Sequence, residues 1–377
     1  MSMERPFRGE QLRLARLALG RSLDEIGTAV GSTRQYIHQL ETDAKTPTQE
    51  LIGDLAGVLG VTPRFFHAPA RATVRPEQCH FRKQATTPAA ITSQVLARGS
   101  ILDSLAEALD GKLSLPGVNF PQASAATLEQ VEEAAEIARL HWELGSTGPI
   151  TNMMRVVENA GAIVTYFEGV SDRVDALSMD RRRPIIVRSE AKQSLCRLRF
   201  DLAHECGHLV MHRGLQTGDR LTEDQANRFA SAFLLPRSTF LHMFPRSRYL
   251  NWELIFHIKL QWKVSARAIL RRALDLGLIT SDQYRTGQIH LAKTGQTKVE
   301  KFDRDMPMES AELLDVALDA LDAARPGALA ELAGDLGLDA SLFSHLTGRD
   351  LPSAALAVGG RAEDSVVRYV DFRSNRK

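Results

Sequence analysis

Apolar residues recur at helical spacing through most of this chain, and alternation is confined to one short region. Leu12, Leu14, Leu17 and Ala18 make a first apolar face. Ser22, with Glu25 three residues later, reads as a capping box ahead of Ile26, Ala29 and Val30. Gly31 marks a turn. Thr33 caps the next helix, Arg34–Glu41, with Ile37 and Leu40 inward. After the loop Lys45-Thr46-Pro47, Leu51, Leu55, Ala56 and Leu59 predict a further helix. Two short helices around a glycine turn suggest helix-turn-helix, whose second helix enters the major groove of DNA. Thr33, Arg34, Gln35, Tyr36, His38 and Gln39 would then face bases and phosphates. A helical protein-interaction domain would pack in the same way.

Further along, residues 68–90 are rich in Pro, Thr, Ala and basic groups and read as a linker. Residues 90–113 and 123–144 read as helices, with Trp142 and Leu144 closing the second. Ile150–Asn159 reads as a third. Ala162–Phe167 reads as a strand, and Val174–Ser178 with Pro184–Val187 as a hairpin. The run Leu195–Ala203 has no Pro or Gly and predicts a helix. Residues 251–276 add two helices, and 309–346 are Ala/Leu-rich and helical. The tail 371–377 is polar and reads as frayed.

The chemistry lies at His204-Glu205-Cys206-Gly207-His208. On a helix, residues four apart share a face, so His204 and His208 can offer two imidazoles to one metal ion. Glu205 would take a proton from a water at the open position. A stable site needs a third ligand. Thr222 reads as the N-cap of a second helix ending before Pro236, with Glu223 in its first turn and Asn227 one turn on. Acidic residues in a first turn also suit the helix dipole alone. Asp224 is the alternative ligand, but points about 100° away. His212 lies one turn beyond His208 and reads as the helix end. His141, His242, His257 and His290 have no ligand-like spacing. Cys206 points about 200° from His204, away from the metal, and reads as a core thiol.

The stretch Phe200–His212, Glu223-x-x-Ala226-Asn227-x-Phe229-Ala230 and Leu234-Leu235-Pro236 resembles the ImmA/IrrE family of zinc metallopeptidases, over roughly residues 130–280. The resemblance implies His204, His208 and Glu223 as zinc ligands and Glu205 as the catalytic base. Members of that family often carry Asn where this chain has Arg188, and Arg181-Arg182-Arg183 is unusually basic. Both departures bear on substrate contacts. Residues Ser32–Glu41 and Pro47 resemble Cro/repressor-type (XRE) helix-turn-helix domains over about 55 residues. Many relatives there have Gln where this chain has Leu23, which weakens one expected DNA contact.

Bulk composition changes this picture little. The 377 residues carry a net charge of +1 and are 44% apolar and 25% charged. Residues 1–90 hold 12 Lys/Arg against 9 Asp/Glu, a net of +3, so phosphate attraction alone is modest and a paired DNA site is expected. No apolar run is long enough for a bilayer and no signal peptide is read, so a cytoplasmic protein without a membrane partner is expected. Three scattered cysteines suit a reducing compartment.

The expected fold is mainly α with a small α+β part. A helix-turn-helix bundle (1–68) is joined by a linker (69–90) to a zincin-like core with a small sheet (91–295), followed by a helical C-terminal region of unassigned role (296–377). The expected function is a DNA-binding regulator with a Zn2+ endopeptidase in the same chain. What the resemblance implies is cleavage of a helix-turn-helix repressor, derepressing stress, phage or mobile-element genes. The expected partners are a double-stranded operator, that protein substrate and a second copy of the chain. The competing readings are a transcription factor whose metallopeptidase fold senses a ligand without cutting, and an antitoxin-like repressor.

Overall fold

A computed structural model describes residues 6–69, 73–75, 78–81, 88–167, 169, 176–188, 194–215 and 217–351. The protein is mainly helical with one small mixed sheet. The N-terminal bundle comprises α1 (Gly9–Ala18), α2 (Leu23–Ala29), α3 (Arg34–Glu41), α4 (Gln49–Leu59) and α5 (Pro63–Phe66). The starts of α2, α3 and α4 follow the side chains that satisfy orphan helix N–H groups. Ser22 accepts from the Glu25 amide while Glu25 accepts from that of Ser22, and Thr33 and Thr48 cap α3 and α4. Gly27 lets the turn fold tightly, because a Cβ there would sit 3.0 Å from the Ser32 carbonyl oxygen.

The remaining order is β1 (Cys79–Phe81), α6 (Ala89–Asp110), α7 (Leu128–His141), α8 (Met153–Asn159), β2 (Ile163–Thr165), β3 (Ala176–Met179), β4 (Ile185–Arg188), α9 (Leu195–Met211), α10 (Arg220–Leu234), α11 (Arg237–Met243), α12 (Trp252–Trp262), α13 (Ala266–Asp275), α14 (Ser281–Lys293), α15 (Leu313–Ala324), α16 (Ala328–Leu336) and α17 (Ala340–Thr347). The expected hairpin is β3 and β4, with Val174 and Asp175 outside the described residues, as is the tail 371–377. The sheet order is β1-β3-β4-β2, antiparallel except for β2 beside β4.

Two readings of local structure differ from the sequence reading. The stretch read as linker contributes β1, whose three residues are too few to show alternation and are held by pairing with β3. Thr222 is not a cap: Asp219 caps α10, accepting from the Leu221 and Thr222 amides, and the Thr222 hydroxyl bonds back to Asp219. A carboxylate is the stronger acceptor at that dipole end.

The sheet divides two cores. Ile163, Leu177, Met179, Ile185 and Val187 face one core, built with α1–α6 and α15–α17. Val164 and Ile186 face the other, built with α7–α14. A sheet covered on both faces has no solvent-facing side, which is why β4 is apolar at successive positions. Arg181, Arg182 and Arg183 pair with Asp103, Glu107 and Asp110 along one face of α6. The basic loop read as a substrate contact is therefore engaged in clamping the hairpin to α6.

Segment 300–312, which carries no motif, is held by buried charge. Lys259 pairs with Glu300 and Asp303 at 2.7 and 2.6 Å. Glu309 accepts from Arg199 of α9 and from the Met153 and Met154 amides. The helices beyond it return to the N-terminal bundle. Val61 bridges Leu338, the Thr62 amide donates to the Gly337 carbonyl (2.8 Å), and the Asp339 amide donates to that of Gly60 (3.1 Å). Gly337 has φ +72°, and a Cβ there would lie 2.8 Å from the Phe65 backbone. Gly337→Ala is expected to destabilise the fold by about 1–3 kcal/mol, combining left-handed strain with overpacking. A lower urea midpoint with unchanged slope checks this.

Candidate metal centre and helix-turn-helix surface

Helix α9 carries the histidine motif, and its approach to α10 is set by one residue. A Cβ on Gly207 would lie 3.0 Å from the Phe229 ring, so glycine lets α10 pack close. That seam, with Ala203, Cys206, Val210, Ala230 and Phe233 in the same core, brings Glu223 across the histidine pair. His204 Nε2 lies 3.4 Å from Glu223 Oε2, and His208 Nε2 lies 3.4 Å from Glu223 Oε1. The two Nε2 atoms are 3.1 Å apart. These are the three residues that the structure groups as a possible cation site, with ligand atoms within 4.8 Å of one another. Asp224 pairs with Arg220 at the surface instead. Cys206 is fully buried in the core, as its helical position predicts.

The outer hydrogen bonds fix which imidazole nitrogens are bare. His204 Nδ1 donates to Asn227 Oδ1 (3.1 Å), so its Nε2 is a lone pair. His212 Nε2 donates to Gln225 Oε1, and Gln225 in turn donates to the Ala125 carbonyl. His212 Nδ1 is then an acceptor, so His208 Nδ1 donates to it (2.9 Å) and His208 Nε2 is bare as well. Two lone pairs and a carboxylate thus converge with no donor between them, an arrangement that suits a cation. His212 does close α9, as its position suggests, but it is also buried against the site.

Burial governs the electrostatics. It pushes His208 down to about 4, so the ring is neutral at pH 7. Burial would raise Glu223, but its closeness to His204 and His208 outweighs that and holds the carboxylate ionised. Glu205 is 1% exposed, and neither carboxylate oxygen has a hydrogen-bond partner among the described residues. Burial lifts it to about 7, against the opposing pull of the nearby His204. A carboxylate tuned to that range suits general-base work at neutral pH.

Sequence reasoning missed His80 on β1. Its ring stacks on His208 with centroids 4.7 Å apart and planes 3° from parallel, and its Nδ1 meets the Thr217 hydroxyl at 2.7 Å. Nothing in the spacing between residues 80 and 208 could have revealed it. Gln225 and Asn227 were more accessible, since both lie within one turn of Glu223.

On the N-terminal bundle, Thr33, Arg34, Gln35 and His38 are exposed along α3, while Tyr36 and Gln39 are half-buried. The Thr33 hydroxyl accepts from the Tyr36 amide and so fixes the start of that helix. Lys45 lies over the Tyr36 ring, adding a cation beside this face. Leu23 is half-buried against the core.

Comparison with protein families matches both regions. The IrrE N-terminal-like domain model, of the M78 peptidase family, covers residues 157–274, and a helix-turn-helix model covers residues 12–66. The chain joins a helix-turn-helix domain to an IrrE-like domain. No curated protein matches it. The IrrE-like match runs from the end of α8 to α13 and contains His204, Glu205, His208 and Glu223. Among the described residues, no helix is long and apolar enough to cross a membrane.

Proposed function

We propose that this protein is a DNA-binding regulator whose IrrE-like domain is a zinc endopeptidase acting on a helix-turn-helix repressor. The observation that carries the reading is the convergence of His204, His208 and Glu223 beside an unpartnered Glu205. His204, His208 and Glu223 would hold the ion, with Asn227 and His212 orienting the two imidazoles. Zinc, when bound, supplies Lewis acidity at the scissile carbonyl. Glu205 takes the proton of the attacking water and delivers it to the leaving amine. Its low-dielectric setting keeps that proton from being lost to solvent.

The test uses the full-length protein and the repressor encoded beside it, if one is present. Cleavage is expected to stop on chelation and return with added zinc. Persistent cleavage in chelator would remove the metal from the reaction. The sensor reading draws support from one observation: His204 and His208 are 1% and 0% exposed, so both imidazoles are covered by the chain itself.

For the DNA-binding half, Arg34 and Gln35 stand at the start of α3, the end that meets base edges in such domains. Losing a bidentate base contact costs about 1–3 kcal/mol. Arg34→Ala with Gln35→Ala is expected to abolish operator preference while zinc content is unchanged. Footprinting checks this, and an identical footprint in the double variant would count against it. A homodimer on a paired site remains part of this proposal, because the bundle's net charge is small.

A further inference from the structure

The two histidines of the site are closed to solvent, and the element beside them is a strand from the same chain. β1 pairs antiparallel with β3, with His80 opposite Ser178. Ser178 and Ile186 occupy paired positions on the face of the sheet turned toward α9. His80 takes that same face and lays its ring on His208. Cys79 and Met179 point the other way, into the core shared with α6. The strand is therefore in contact with the metal centre on one side and with the far core on the other.

In β3-β4-β2 taken alone, β3 is the antiparallel edge nearest the histidine helix. Such an edge recruits an extended peptide by main-chain hydrogen bonds, with side-chain direction alternating between the two faces. That edge is filled here by residues 79–81, with the Gln78 carbonyl accepting from the Asp180 amide as one further bond. Hydrogen bonds from Arg181 to Gln78 and from Arg213 to Asp180 secure the same end. The strand pairing is three residues long.

We infer that β1 is an internal surrogate for the extended substrate segment that a peptidase of this kind adds to its sheet edge, here the outer edge of β3, and that β1 must leave before cleavage. This rests on the peptidase reading for its substrate, but not for its mechanics. Departure of β1 takes His80 off His208 and frees the β3 main chain at the position beside Glu205. An incoming strand repeats the antiparallel pairing and places its peptide bonds where the His80 backbone now runs.

The test is a reversible lock. Cys79 and Met179 are directly opposed, and their side chains lie on the face away from the metal centre. Met179→Cys allows a cross-strand disulfide to Cys79 in the full-length, zinc-loaded protein. Two rates are measured, oxidised and reduced: zinc capture by 4-(2-pyridylazo)resorcinol, and cleavage of the repressor. Both are expected to fall at least tenfold on oxidation and to recover on reduction, with zinc content unchanged. Equal rates in the two states would overturn the inference. If no state cleaves, the peptidase reading fails, while zinc capture still decides whether β1 moves. His80→Ala removes the stack without a cross-link and serves if the lock does not form. It is expected to speed zinc capture severalfold. Slower cleavage with zinc retained would instead make His80 part of the reaction and would overturn the surrogate role.

Discussion

Glu205→Gln is expected to keep the fold and the zinc while cutting cleavage by at least ~10²–10⁴-fold, the usual contribution of a positioned general base. The amide has the shape of the carboxylate but cannot accept the water proton at neutral pH. Folding should not suffer. Glu205 is buried, neither of its carboxylate oxygens has a partner among the described residues, and its burial already disfavours the ionised form. Exchanging a poorly satisfied buried charge for a neutral isostere is often neutral or stabilising. Single-turnover cleavage and metal analysis on the same preparation separate the effects. Loss of activity with loss of zinc would point to a structural role. Unchanged gene regulation in cells carrying Glu205→Gln would favour the sensor reading.

His204→Ala is expected to abolish zinc binding. Three protein ligands are the minimum of an open zinc site, and the two that remain, His208 and Glu223, cannot fill the missing corner. Changes to groups that merely orient a ligand already weaken metal by about 10–100-fold, and loss of the ligand itself should exceed that. Elemental analysis after reconstitution should give near-stoichiometric zinc in the wild type and background in the variant. Full retention would reject His204 as a ligand. The variant also leaves the Asn227 amide without its imidazole partner, so a modest drop in stability is expected beside the metal loss.

Much of the site was legible because its information is local. His204 and His208 are four residues apart on one helix, and helix geometry alone sets them on one face. Glu223 follows from a second periodic run close behind. The capping box at Ser22 and the Thr33 cap are likewise local, and both stand in the structure as read. Thr222 misled because two good capping residues, Asp219 and Thr222, lie within one turn, and the choice depends on which carbonyls and amides the preceding loop presents. The arginine loop at 181–183 misled because basic residues look solvent-bound until their carboxylate partners, some 75 residues earlier, are seen.

The sequence by itself determined most element types, the two family regions and the residues of the candidate metal motif. Each depends on side-chain spacing within one helix or hairpin, where the backbone period fixes geometry. Only the tertiary structure decided what surrounds them. It placed His80 on His208 across 128 positions of chain. It built one core from the N-terminal bundle, α6 and α15–α17. It tied the segment before α15 to α9 through Arg199 and Glu309. These contacts arise from burying apolar faces and compensating buried charges between distant elements. Spacing along the chain carries no record of such pairings, because closing long loops costs little more than closing short ones.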